Sequence, residues 1–316
     1  MENKISYNRN RKTENKSTFL LGTVAFLVIG FLVLITLVFV FSAFSPNLLG
    51  KCVAVVNIDQ PLTTTGVSPS LFSGGYLGSE DLAYLISALN KRDDVGAVVF
   101  VMNSPGGSVV ATREIYTSVK ELNKPKVAYF REMATSGAYY ISAGTDYIVT
   151  EPGAITGSIG VITTYSDMGG LFSKIGINVT SVTSGDAKDF GSPYRPLSEK
   201  ERNLTQAIVN EVFSDFKSVV IFGRGNKLNN TAFLEILDGR ILSGKQAVAI
   251  GLADEVGMKR DAVMKAAKMA NMSTSNSTQV RICRISTSPQ EVGILDVSSV
   301  VSALSVYSGV PQLLFK

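Results

Sequence analysis

The sequence predicts an α/β layered fold with mainly parallel strand pairing. Two observations predict it. Short apolar runs rich in β-branched residues alternate with helical patterns from residue 52 onward. The central run, 97–102, is apolar at every position, as a strand covered on both faces must be.

Each element has a local reason. Residues 52–59 (CVAVVNID) read as the first strand. Residues 61–78 are rich in Gly, Ser, Thr and Pro and read as a loop. Ser79 is placed to cap a helix whose first turn holds Glu80 and Asp81 and whose stripe is Leu82, Leu85, Ile86 and Leu89. The second strand, 97–102, leads to a helix over 108–122. A strand at 126–130, a helix at 136–143 and a strand at 147–149 follow. A turn at 157–162 leads into another strand, followed by a short helix near 169–175 and a strand at 178–183. Ser198 and Glu201 form a capping-box pattern that opens a long helix to about residue 222. Helices at 231–237, 243–250 and 259–270 complete the domain.

The two ends differ from this pattern. Residues 19–44 carry no charge across 26 positions, which suits a retained transmembrane anchor. Lys4, Arg9, Arg11, Lys12 and Lys16 precede it, so the basic tail 1–18 is expected in the cytoplasm and the remainder outside. A signal cleaved near Ala43 is the alternative. After Asn271 the composition turns to Ser, Thr and Asn. Residues 272–316 are expected to be a polar linker and an uncharged C-terminal tail.

Composition excludes several chemistries. The 316 residues include no histidine, which removes imidazole metal sites and Ser-His-Asp machinery. The N-terminal segment supplies five of the 30 basic residues and two of the 26 acidic ones. The rest of the chain is therefore near neutral and carries no nucleic-acid footprint. The only cysteines, Cys52 and Cys283, form no CxxC. Either two free thiols or one disulfide in an oxidising compartment fits them.

Three stretches carry candidate chemistry. Asn103-Ser104-Pro105-Gly106-Gly107 lies between a strand and a helix, where glycine lets a backbone N–H approach a substrate carbonyl. Thr135-Ser136-Gly137-Ala138 places a serine at a helix start. Ser136 is either a nucleophile or a plain N-cap. Ser184-Gly185-Asp186-Ala187-Lys188-Asp189 offers a lysine, the usual substitute for histidine as a base. A free lysine titrates near pH 10.4, so the role needs burial, and it needs Asp186 and Asp189 turned away from the amine. Otherwise Lys188 is a solvated surface residue.

Together these motifs resemble the signal peptide peptidase A (protease IV) family of serine peptidases. Gly157-Ser158-Ile159-Gly160-Val161-Ile162 belongs to the match. So does Arg240-Ile241-Leu242-Ser243-Gly244-Lys245-Gln246-Ala247, running into Gly251-Leu252-Ala253-Asp254-Glu255-Val256-Gly257. The match covers roughly 53–270. The resemblance implies a Clp/crotonase-like layered fold of repeated strand-strand-helix units over 51–271. It implies Ser136 as nucleophile and Lys188 as general base, with Ser158 orienting the lysine. Gly107 and Gly137 would form the oxyanion hole. It also implies a membrane-tethered homo-oligomer that cleaves hydrophobic peptides such as signal-peptide remnants, in which neighbouring subunits can complete each dyad. No metal or other cofactor is expected. The rivals are a stomatin-partner type of membrane serine peptidase, a crotonase-type acyl-CoA enzyme and a non-catalytic membrane scaffold.

Overall fold

The structure is a computed structural model that describes residues 22, 24–37, 50–68, 75–272 and 280–287. The chain divides into two compact units, Met1–Lys51 and Cys52–Lys316. In the first, residues 24–37 are helical and exposed. Among the described residues no helix is long and apolar enough to cross a membrane. The other positions of the expected anchor lie outside the described residues, apart from residue 22. The basic tail 1–18 and residues 273–279 and 288–316 of the expected linker and tail lie outside them too.

The second unit is built on one sheet. Its strands are β1 (Cys52–Ile58), β2 (Val95–Ser104), β3 (Lys126–Thr135), β4 (Tyr147–Thr150), β5 (Ile155–Gly157), β6 (Ile241–Ser243), β7 (Glu255–Val256) and β8 (Ile282–Ile285). They run in the order β6-β5-β3-β2-β1-β8, with β4 also on β3 and β7 on β4. All pairs are parallel except β5 with β6. The helices are α1 (Ser79–Ala88), α2 (Val109–Lys120), α3 (Gly137–Ser142), α4 (Gly169–Lys174), α5 (Glu199–Arg224), α6 (Asn230–Glu235), α7 (Gly244–Ala249) and α8 (Lys259–Met269).

The pleat sorts the strand residues into two cores. Ala54, Val56, Phe100, Met102 and Phe130 face one side and pack with Leu82, Ile86, Ile115 and Tyr139 of α1, α2 and α3. Val53, Val55, Val99, Val101 and Tyr129 face the other side and pack on Ala262, Val263 and Ala266 of α8. This two-sided burial is why the central run is continuously apolar. Each fully buried large apolar side chain contributes about 1.5–3 kcal/mol.

The structure corrects several expectations. Ser79 is not the cap of α1. Gly78 occupies that position, and the buried Ser79 hydroxyl bonds to Glu114 instead. The turn at 157–162 leads into no strand: residues 158–168 are irregular, and the strand, β5, comes just before them. Residues 178–183 are exposed and irregular, although Val179 and Val182 favour β structure. Among the described residues no neighbouring strand offers them a ladder, and isolated β-propensity does not hold a strand. The expected linker after 271 contains β8, which pairs with β1 from Val53↔Ile282 to Val56↔Ile285. A disulfide joins Cys52 to Cys283 across 231 positions, so the two thiols are not free. The capping boxes at Ser198 and Ser243 are both formed.

Candidate active site

β2 and β3 are parallel neighbours, so their C-terminal ends lie side by side, with Ser104 opposite Ala134. The loop after β2 and the turn after β3 therefore meet at one edge of the sheet, where α/β proteins place their ligands. A bridge between Leu62 and Gly107 pins the first loop: Leu62 N–H donates to Gly106 O at 2.9 Å and Ser108 N–H to Leu62 O at 2.8 Å. Neither bond uses the N–H of Gly107.

Both glycines of this loop are sterically required. Gly106 has φ +90°, and a Cβ there would stand 2.6 Å from Gly137 N and 2.9 Å from Ser136 Cβ. A Cβ on Gly107 would run into the Leu62 carbonyl. The space that a Gly106 side chain would need is taken by the Ser136 turn, so Gly106 lies directly against it.

Ser136 has φ 54° and ψ −123°, a backbone region that costs a non-glycine residue about 1–3 kcal/mol. Its N–H donates to Gly157 O at 2.9 Å, which ties the turn to β5. The Ser136 hydroxyl makes no capping bond to α3, so it is not a plain N-cap. A strained strand-to-helix turn that presents an unengaged hydroxyl is the geometry of a nucleophile elbow. Gly137 opens α3, so its N–H has no intrahelical acceptor.

Ser136, Gly137 and Gly107 line one cavity of ≈ 110 Å³. Val109, Val161, Ile162, Val212 and Phe216 make its walls largely apolar. Tyr140 and Asp215 add one polar contact, a hydrogen bond of 2.8 Å from the phenol to Oδ2. Burial and this bond push the Tyr140 phenol up. These walls were missed from sequence. Val212, Asp215 and Phe216 do share one face of α5 by their spacing, but only packing shows what that face meets.

Ser158 follows Gly157 directly, has φ 50° and donates its N–H to Arg240 O at 2.9 Å. It is held beside the Ser136 turn. Lys188 is not. It sits exposed in residues 184–191 and does not line the cavity. Its amine has no carboxylate within 4.0 Å among the described residues. The Asp189 carboxylate turns to Arg195 at 2.9 and 3.1 Å, and that hydrogen bond holds it below its ordinary range. The structure therefore brings Ser136, Gly137 and Gly107 to one cavity and leaves Lys188 apart.

Comparison with known proteins places this site in context. Residues 118–273 match the family model for Peptidase family S49, and residues 79–150 match that for Clp protease. Two curated relatives carry names marked "Putative". Protease MJ0651 of Methanocaldococcus jannaschii is 44% identical over 191 residues, covering 60% of this chain and 61% of that one. Signal peptide peptidase SppA of Enterococcus faecium is 34% identical over 216 residues, covering 67% and 62%. The chain thus spans about three fifths of the length of these relatives. Among solved structures, a mutant of the membrane-bound stomatin-specific protease 1510-N in complex with a substrate peptide aligns with a TM-score of 0.50 at 17% identity. It covers 82% of this chain and 100% of that one, a likeness of fold.

Proposed function

Residues 118–273 make this chain a member of peptidase family S49, and on that premise we propose a membrane-anchored serine endopeptidase that cleaves hydrophobic peptides such as signal-peptide remnants. The observation that carries the reading is Ser136: a strained serine with an uncommitted hydroxyl opening onto an apolar cavity.

In this mechanism neutral Lys188 takes the proton of Ser136 as the serine oxygen attacks the scissile carbonyl. The N–H groups of Gly107 and Gly137 stabilise the tetrahedral oxyanion. Lys188 then protonates the leaving amine. Water attacks the acyl-enzyme with the same lysine as base. Ser158 orients the lysine. The apolar walls favour an aliphatic side chain beside the scissile bond, in keeping with a hydrophobic substrate.

A homo-oligomer accompanies this reading. Ile162 is 87% exposed and Val182 96% exposed, in a segment with many other uncovered apolar residues. Covering them by a second copy would also carry Lys188 out of solvent, and the lysine of one copy would serve its own Ser136 or that of a neighbour. The N-terminal helix anchors the enzyme, and the disulfide suits an extracytoplasmic domain.

The test is mass spectrometry after treatment with a fluorophosphonate probe. A single adduct on Ser136 that disappears in Lys188→Ala is the expected result. No adduct on a folded, assembled protein would overturn the peptidase in favour of a scaffold. Labelling at the wild-type rate in Lys188→Ala would overturn the dyad.

A further inference from the structure

On the face of the sheet away from Ser136, α8 packs on β1, β2, β3 and β4 and makes no comparable contact with β8. The gap is a cavity of ≈ 600 Å³, well within the range of ligand sites. Val55 and Asn57 of β1 line its floor. Val263 and Met264 form one wall, and Ile282 of β8 the other.

Two features make this more than an apolar trough. Lys259 and Arg260 stand on the α8 wall and Arg284 on the β8 wall. Lys259 and Arg284 make no ion pair within 4.0 Å among the described residues, and Arg260 reaches only its neighbour Asp261, at 3.9 Å. Two of these cations sit in the first turn of α8, where the helix dipole adds positive potential. Asp59 feels Lys259: burial pushes its carboxyl up against the pull of Arg131 and Lys259. In addition, Asn57 Oδ1 is buried without a donor. A buried acceptor left unmet costs about 1–3 kcal/mol. The cavity calls for an occupant that brings negative charge, apolar bulk and an N–H.

We propose that this cavity binds the chain's own segment 291–296, Glu291-Val292-Gly293-Ile294-Leu295-Asp296. It holds the only two acidic residues after Asp261, and they bracket three large aliphatic side chains. The described chain ends at Thr287, two residues past β8, which itself forms a wall of the cavity. Residues 286–290 include Pro289 and match the usual length of a reversing loop, about 4–6 residues. Six extended residues span about 20 Å. Glu291 and Asp296 are five positions apart, so an extended segment presents them on opposite sides. The cations likewise stand on opposite walls. A peptide backbone also supplies the donor that Asn57 lacks, which a fatty acid or a phosphate dianion does not.

The experiment uses the full chain. A zero-length carbodiimide couples adjacent amines and carboxylates, and isotopically light and heavy protein are mixed before coupling. The expected product joins Lys259 to Glu291 or Asp296 within one isotopic chain. No such product, or only mixed-isotope products, would overturn the proposal, the second outcome assigning the cavity to a neighbouring copy. Hydrogen exchange gives an independent readout. Amides 292–295 should exchange at least about tenfold slower than a free peptide. Glu291→Lys with Asp296→Lys should abolish that protection while β2 stays protected. Adding Lys259→Glu and Arg284→Glu should restore it. Protection indifferent to these charges would equally overturn the proposal.

Discussion

Around Ser136, strands β2, β3 and β5, the Leu62–Gly107 bridge and the close approach of Gly106 to Gly137 hold the backbone in place. Residues 160–194 contain one short helix and otherwise irregular backbone, and most of their side chains face solvent. The first region is organised by the chain's own core. The second carries apolar side chains that this chain does not cover. The difference teaches that, of the two residues of the proposed dyad, Ser136 is held by the chain's own core while Lys188 lies in an exposed segment. Strain such as that at Ser136 persists only where the surroundings over-determine it. A neutral lysine requires desolvation that an exposed loop does not supply.

The largest expected effect is on the chemistry itself. Ser136→Ala should lower peptide hydrolysis by at least about 10⁴-fold without lowering the melting temperature. Lys188→Ala should do the same, so that steady-state rates and thermal melts of both variants test whether the two regions form one site. Gly106→Ala comes next. Its Cβ would press on the Ser136 turn, and misaligned oxyanion donors should cost about 10²–10³-fold in kcat.

Beneath the organised region lies a buried ion pair, Arg224 with Asp254 at 3.0 Å, with side chains only 1% and 7% exposed. Asp254→Ala would strand the Arg224 guanidinium and should cost about 3–5 kcal/mol in denaturant unfolding. Burial acts to raise the Asp254 carboxyl, but its bonds from Arg224 and Lys227 outweigh that and hold it below 3.8. Its contribution is therefore fully present above pH 3.8 and is lost as pH falls through the lower folded value. Unfolding midpoints measured at descending pH should show that loss in wild type and not in the variant.

The smallest effect on the single chain is expected in the other region. Val182→Asp should change its unfolding free energy by no more than about 0.5 kcal/mol, since Val182 touches little. Sedimentation should nevertheless show weaker assembly, with activity falling in parallel. A variant that stays assembled and active would erase the contrast between the two regions.

Much of this protein is determined by local sequence. The strand-helix alternation, the capping boxes at Ser198 and Ser243, the placement of Ser136 after β3 and the Pro105-Gly106-Gly107 turn each depend on residues within a few positions of one another. Short-range sterics and hydrogen bonds decide them, so they are legible without a fold. Ser79 shows the limit of that logic: a good capping residue was drawn instead to Glu114, 35 positions away. Only the tertiary structure decided that β8 joins β1, that Cys52 meets Cys283, and that Val212, Asp215 and Phe216 wall the cavity of Ser136. The four residues of β8 carry too little local preference to declare a strand. Their pairing comes from the ladder to β1 and the Cys52–Cys283 disulfide, with partners more than two hundred positions away, and no local pattern encodes a contact of that range.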